Sequence, residues 1–415
     1  MMHNQHHHFT LIGLMLRNEH IIILGLPRFD GPYESTNITI ARELSKENDV
    51  YYIDNPLTWK DYLLLKDSAA ITKRKPFFHA KSNGIIQQEG RLRFVITPPV
   101  LSLNFLPEGW LYRKLLAYNE NIIRKRIQQL LISQGIESFI FINSYNFHFP
   151  NVVKGLAAKC SIYHCVDPII RPYDRKHGLI SETQLIHNSD LVFCTSKALQ
   201  EEKSKLHDHC FFVPNAADID HSSKALDPSL RIDPMLDNIK RPIIGYLGNI
   251  ERRIDYDLVK TLTGMHPDKQ FVFTGPIEKE FVPDWFFHTP NIHLTGRIDY
   301  DRLPALLKGV DVAILPFKKD AVSRTIFPLK LFEYLGAGKP TIATDFNPDL
   351  AGFTADTTAY CADAVSFSNA LEAALQENNS ALIEKRVAVA KQNTWEKRAA
   401  EISNTIGHYL YNQKP

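Results

Sequence analysis

Lys330 and Glu333 stand three residues apart within RTIFPLKLFEYLGAGKPTIATD, residues 324–345. Pro328 suits a first helical position, Leu329, Leu331, Phe332 and Leu335 supply apolar faces, Gly336 and Gly338 end the run, and TIAT reads as a strand. At i and i+3 the two charges lie on one side of that helix. Their order opposes the helix dipole, which favours anions at the N-terminus and cations at the C-terminus. A surface ion pair accounts for the two residues; an anionic ligand at the helix start accounts for their order as well. Free N–H groups there, with Lys330 and the upstream Arg324, make a phosphate site. A carboxylate one turn further in can accept two hydrogen bonds from a diol, which suggests a nucleotide ribose.

Such a helix needs a parallel sheet to hold it, and the chain supplies the rhythm of two. HIIILGLP (20–27), DVYYID (49–54), LRFVIT (92–97), SFIFIN (138–143), SIYHCVD (161–167), DLVFCTS (190–196) and CFFVPN (210–215) are short apolar runs ended by turn residues, with helical patterns between most of them. The polar, proline-punctuated segment 222–242 reads as a linker. PIIGYLGN, QFVFTGP, NIHLTG, DVAILPF and PTIATD then repeat the βαβ rhythm, and TWEKRAAEISNTIGHYLYN closes the chain as an amphipathic helix. The expected fold is α/β: two tandem Rossmann-like domains with a ligand cleft between them at the strand C-termini. No strict GxGxxG occurs, so a dinucleotide fingerprint is absent from both halves.

At 415 residues the chain is long enough for two or three cores. Its 48 Lys+Arg against 46 Asp+Glu give no bulk electrostatic argument for nucleic acid. The five cysteines, Cys160, Cys165, Cys194, Cys210 and Cys361, form no CxxC pair and fit a reducing cytosol, and no metal-ligand spacing occurs. FTLIGLML near the start lacks a basic leader and a cleavage site and is too short to span a bilayer, so residues 1–19 are expected to be a disordered leader, with Met15 as an alternative start.

IGYLGNI, FVFTGP, HLTGRIDYDRLPALLKGVDVAILPF and PLKLFEYLGAGKPTIATD, together with SIYHCVDP, ETQLIHNSDLVFCTSKAL and FFVPNAADID in the first half, resemble bacterial GT-B glycosyltransferases in order and spacing. The pattern is similar to family-four-like enzymes of cell-surface polysaccharide assembly, such as teichuronic acid and exopolysaccharide glycosyltransferases. The resemblance implies an acceptor-binding domain over 20–225, to which the C-terminal helix 395–415 crosses back, and a nucleotide-sugar-binding domain over 226–394. It implies metal-independent sugar transfer from a nucleotide-diphosphate sugar, UDP favoured, to a glycan or lipid-linked acceptor, with no cofactor. Many retaining members carry two glutamates separated by seven residues. Here Glu333 fills the second place and Thr325 the first, so the ribose carboxylate is kept and the one that meets the donor sugar is not.

Glycosyl transfer needs a stabilised diphosphate leaving group, which fixed positive groups can supply. Lys330 and Arg324 are the first candidates; Gly248 and Asn249, ending a strand ahead of Arg252 and Arg253, are a second source. Loops after Gly275 and at Gly296 and Arg297 frame the base, or are turns alone. For the base that takes the acceptor proton, Asp167 ends the strand SIYHCVD, with His164 as rival; Asp at a strand end is also an ordinary turn former. Asp30 and Tyr33, in the loop PRFDGPYES, are acceptor contacts, and Glu182 is a helix-face charge or a cleft residue. The stretches 59–80 and 110–126 mix aromatics, leucines and basic residues, which suits an anionic membrane headgroup region or a helix packed on the sheet with a solvated basic face. A sugar-nucleotide epimerase of the same fold and a non-catalytic partner of a transferase are the rival readings. The expected location is cytoplasmic, with peripheral contact at the inner membrane.

Overall fold

The computed structural model describes residues 14–31, 35–79, 82–377 and 379–413. The chain divides into two compact units, one of residues up to Val213 together with those from Arg398, the other Pro214–Lys397.

Among the described residues the first unit holds eight strands: β1 (His20–Gly25), β2 (Asp49–Ile53), β3 (Ile85–Glu89), β4 (Leu92–Val95), β5 (Ile140–Ser144), β6 (Cys160–Cys165), β7 (Leu191–Cys194) and β8 (Cys210–Phe212). Their order is β3-β4-β2-β1-β5-β6-β7-β8, parallel except for β3 against β4. The central strands are buried on both faces, which is why they read as unbroken apolar runs rather than alternating ones. The sequence reading lacks β3, whose IIQQE has no apolar period and which lies at the sheet edge.

The helix Trp110–Gln134 lays Tyr112, Leu116, Ile123, Ile127 and Leu130 in one apolar stripe within a core that includes Ile22, Ile53 and Phe141. Its Arg126 is buried and donates to the carbonyls of Phe77, His79 and Ser82, tying down the segment after the helix Ala69–Arg74. For 110–126 the packed-helix reading therefore holds for most of the run. The helix Trp59–Leu64 buries none of its residues.

The second unit holds β9 (Ile243–Leu247), β10 (Gln270–Thr274), β11 (Ile292–Gly296), β12 (Val312–Leu315), β13 (Thr341–Thr344) and β14 (Thr358–Cys361), all parallel, in the order β11-β10-β9-β12-β13-β14. The order reverses between β9 and β12, and ligands of doubly wound sheets bind at such a switch point, outside the strand C-termini. The four-residue edge strand β14 is also missing from the sequence reading.

Three expectations on organisation are corrected. Segment 222–242 is not a free linker: Asp233 is buried and takes two hydrogen bonds from Arg302, and Leu236 packs where Gly309 leaves room for it. Residues 214–225 belong to the second unit, since Asn215 donates to the Phe327 carbonyl and Ile219 and Ser222 fill the space beside Gly336. The expected leader falls partly outside the described residues, at 1–13; in the remainder Leu16 is buried, donating its N–H to Ser403 on the helix Trp395–Asn412 and accepting from Asn48.

Candidate functional site

The donor-side residues meet at the C-terminal ends of β9, β10 and β12. The helix Leu329–Gly336 starts at Pro328, which takes the capping position in an extended conformation rather than the first helical one, and no side chain caps it. Leu331 N–H turns back to the Pro328 carbonyl, and no side chain caps the N–H groups of Leu329 and Lys330. One turn in, the Tyr334 phenol accepts the Leu247 N–H at 2.8 Å, fastening the helix to the end of β9. Lys330 lies four residues before Tyr334, on the same helix face, and so is carried over the next residue of that strand end, Gly248.

The contact at Gly248 is close. A β-carbon there would come within 1.9 Å of Lys330 Nζ, and the backbone has φ +139°, so a side chain at 248 is strained and pushes the ammonium aside. Gly275 follows the same logic one strand over: its φ is +146° and a β-carbon would lie 2.1 Å from the Gly248 carbonyl oxygen. Gly248 N–H donates to Thr274 and Gly275 N–H to Gly296, lacing the three strand ends together. The turn reading of Gly275 thus misses a packing demand that the Gly248 backbone imposes, whereas at Gly296 a β-carbon meets nothing within 4 Å.

Lys330 donates to the Tyr246 hydroxyl at 3.0 Å, and that hydroxyl donates to the Asn249 carbonyl. The ammonium stands over the rings of Tyr246 and Phe317, 4.5 and 5.6 Å from their centroids. Some of the side chain remains accessible, but the group is enclosed by protein. Burial pushes its pKa down to about 7, with Arg253 adding to the shift and Glu333 and Glu251 opposing it. Glu333 is half-buried. Burial raises its carboxyl to about 7, against the pull of Lys330 and with help from Asp218. No ion pair joins Lys330 to Glu333, and among the described residues no hydrogen bond or ion pair engages the Glu333 carboxylate. The simple surface pair is thereby excluded. An unshared cation stands over the end of β9, and an unshared carboxylate lies one turn along the same helix.

The other donor candidates divide. Arg253 is paired with the buried Glu251 and lies near the Phe317 ring, close enough to depress Lys330. Arg252 is half-buried and its Nη2 is buried without a hydrogen-bond partner, which does not fit a solvated helix start. Asn249, Arg297 and Arg324 are exposed, the last on a turn of 3-10 helix, Ser323–Thr325. The Thr325 hydroxyl is spent on the Val322 carbonyl. Sequence reasoning missed Tyr246 and Phe317. The signal for Tyr246 was present, since it lies two residues before Gly248 and so on the same face of the strand.

In the first unit the strand order reverses between β1 and β5. Asp167, two residues beyond β6, is exposed. His164 is buried, with its Nδ1 3.0 Å from the Ser144 hydroxyl, and burial depresses the imidazole to about 4. Ser144 also accepts from Asn37, and His164 sits neutral and buried inside the sheet. Its role as a rival base is corrected on that ground. Asp30 is also committed elsewhere: both its oxygens are held by Arg74, which lowers its pKa and also pairs with the buried Asp54. Tyr33 lies outside the described residues. Glu182 is neither surface charge nor cleft residue; it is buried, accepting from Tyr163 at 2.7 Å and pairing with the buried Lys203 at 2.8 Å. Tyr145, unremarked in the sequence, follows β5 with φ +59° and bridges to Gly25, with Asp167 near enough to add to the rise that burial imposes on its phenol.

Residues 241–377 match the family model "Glycosyl transferases group 1". The matched residues lie wholly within the second unit. Over 201 residues the chain is 27% identical to TuaH of Bacillus subtilis (strain 168), provisionally named a teichuronic acid biosynthesis glycosyltransferase. That stretch is 44% of this chain and 50% of TuaH, so the chain spans about half the length of the curated relative it matches. Among solved structures, sucrose-phosphate synthase from Thermosynechococcus elongatus is similar at TM-score 0.63 and 14% identity, over 95% of this chain and 99% of that one. The trehalose 6-phosphate synthase of Burkholderia multivorans gives 0.65 at 10% identity, over 96% and 100%. Anabaena HepE in complex with UDP gives 0.61 at 13%, over 94% and 100%. At these identities the likeness shows the fold, two Rossmann-like units of the GT-B kind. Among the described residues no group of three or more His, Cys, Asp or Glu could hold a metal ion, and no helix is long and apolar enough to cross a membrane.

Proposed function

We propose that this chain is a glycosyltransferase that moves a sugar from a nucleoside-diphosphate sugar, UDP favoured, to a hydroxyl of a glycan or lipid-linked saccharide in cell-surface polysaccharide assembly. The carrying observation is Lys330: an ammonium held over Gly248 at the switch point of the second sheet, beside an uncapped helix start and without a carboxylate partner. A diphosphate seated there offsets the burial and the repulsion from Arg253 that depress this lysine, and the helix N–H groups donate to it. As the bond to the sugar breaks, negative charge grows on the leaving phosphate, and a preorganised ammonium and helix terminus stabilise that charge with no metal or cofactor. Glu333 binds the ribose hydroxyls. Arg252, with an unpartnered Nη2, adds a second cation. HepE, described with UDP, and TuaH, named for teichuronic acid, support the choice of donor and pathway class.

Asp167 is the proposed base for the acceptor hydroxyl, being exposed beyond a strand end where His164 is buried. A lipid-linked acceptor is supported by the first unit's surface. Trp59, Leu63 and Leu64 are exposed on a short helix whose Trp59 N–H donates to Val100, and Phe105 and Trp110 follow at 74% and 76% exposure, among Lys60, Lys66 and Lys114. Such a mixture suits peripheral contact with an anionic membrane from the cytoplasmic side.

The test is a transfer assay with a panel of UDP, GDP, dTDP and CMP sugars and lipid-linked saccharide acceptors in EDTA. Nucleotide release that depends on the acceptor supports the proposal. Product formed without any acceptor, as an epimer of the donor sugar, rejects it.

A further inference from the structure

At the opposite end of the second sheet, a cavity of about 860 Å³ opens where Pro242, Asp311 and Pro340 lead into β9, β12 and β13. Its volume is that of a small-molecule site, roughly 300–1,000 Å³. Most of the charge on its wall is internally paired. Asp311 is shared by Arg241 and the Ile243 N–H, both oxygens of Glu377 by Arg386, and Glu372 by Lys269 and His266. Two cations remain. Lys308 donates only to the carbonyls of Asp227 and Pro228, and Lys339 donates to the carbonyl of Lys308 at 3.1 Å. Neither has a carboxylate within ion-pair distance among the described residues. Each ammonium has three N–H donors, so Lys339 keeps two of them for a ligand.

We propose that this cavity binds a small phosphorylated anion, a phosphate ester or diphosphate, gripped between Lys308 and Lys339. Burial pushes Lys339 down to about 8, Asp311 opposes the shift, and Arg241 and Lys308 add to it; an anion relieves that repulsion. Ser380 and Asn379, at the start of the helix Ser380–Ala390, also line the cavity, Asn379 capping that helix by accepting from the Ala381 N–H. Lys339 also donates its backbone N–H to Tyr334, at the C-terminal end of the helix that carries Lys330 at its start. An occupant therefore bears on the far end of the donor helix, a coupling that rests on the function proposed above.

Isothermal titration with inorganic pyrophosphate in EDTA separates the two sites. The parent is expected to take up two pyrophosphates and Lys330→Ala one. The Lys308→Ala/Lys339→Ala double variant should lose the site that survives in Lys330→Ala, with affinity down at least tenfold. Lys339→Gln, which keeps length and packing, should weaken the same site at least threefold if the double variant does not fold. Pyrophosphate binding abolished by Lys330→Ala alone, or unchanged in a folded Lys308/Lys339 variant, would overturn the proposal. A Lys330→Ala protein that keeps full nucleotide binding would count against the donor site and leave this one standing.

Discussion

The ammonium of Lys330 occupies the space that a side chain on residue 248 would need: a β-carbon built on Gly248 lies 1.9 Å from Nζ. The glycine and the lysine are thus one device, and a methyl group at 248 must displace the cation. Gly248→Ala is expected to weaken UDP binding at least tenfold and to cost about 1–2 kcal/mol of stability from its left-handed backbone. Gly264→Ala is the control, since a β-carbon there meets nothing within 4 Å in the helix Tyr256–Met265. Titration calorimetry and thermal unfolding read both effects; equal UDP affinity in the two variants would separate Gly248 from the donor site.

Glu333→Ala should raise KM for the donor several-fold while kcat changes little, because a ribose contact is present in ground and transition states alike. A collapse of kcat at constant KM would assign Glu333 a role at the reacting sugar instead, the place that Thr325 leaves without a carboxylate.

Asp167→Asn preserves size and some hydrogen bonding but cannot accept the acceptor's proton. Turnover is expected to fall on the order of a hundredfold with donor affinity unchanged. A folded variant that turns over within a few-fold of the parent rejects Asp167 as base. His164 does not inherit the role, since it is buried against Ser144.

Arg74→Met tests the reassignment of Asp30 from acceptor contact to structural partner. Arg74 and Asp54 are each only 2% exposed, and Asp30 holds the guanidinium from the other side. Removing the cation leaves a buried carboxylate unpaired, at a cost of about 3–5 kcal/mol. Burial already raises Asp54 to about 6, above its ordinary 3.8, so its ionised form is costly once pH rises through that window. Without Arg74 the carboxyl rises further. The deficit in urea unfolding should therefore be largest near pH 8 and shrink toward pH 5, where Asp54 is protonated. A deficit independent of pH over this range would point to lost packing and the lost Asp30 pair rather than to Asp54.

Most strands that the sequence reveals are buried on both faces, because burial removes polar residues and leaves runs such as HIIILG and QFVFT; the half-buried edge strands β8 and β11 were legible from short apolar runs ended by turn residues. Those it hides, β3 and β14, lie at sheet edges, where one side is wet and the run is short or polar. The side chains of Lys330 and Glu333 are not paired with each other, and their opposed order was legible as a conflict with the helix dipole. Asp30, His164 and Glu182 were not, because what decides each is a partner far away in sequence: Arg74, Ser144 and Lys203. Position at a strand end predicts nearness to a site but not whether the side chain is already engaged. For Tyr246, the same-face spacing to Gly248 carried the information.

The most direct test of the account is titration of UDP in EDTA into the parent and Lys330→Ala at pH 7 and pH 9. Burial pushes the Lys330 ammonium down to about 7, and a bound diphosphate requires its proton. Affinity should therefore fall by up to tenfold per pH unit above 7, with net proton uptake on binding at pH 9. Lys330→Ala should bind at least tenfold more weakly at pH 7 and lose most of the pH dependence. A parent that binds no UDP, or a Lys330→Ala protein matching the parent in affinity and pH profile, would contradict the claim that this lysine holds the donor's diphosphate.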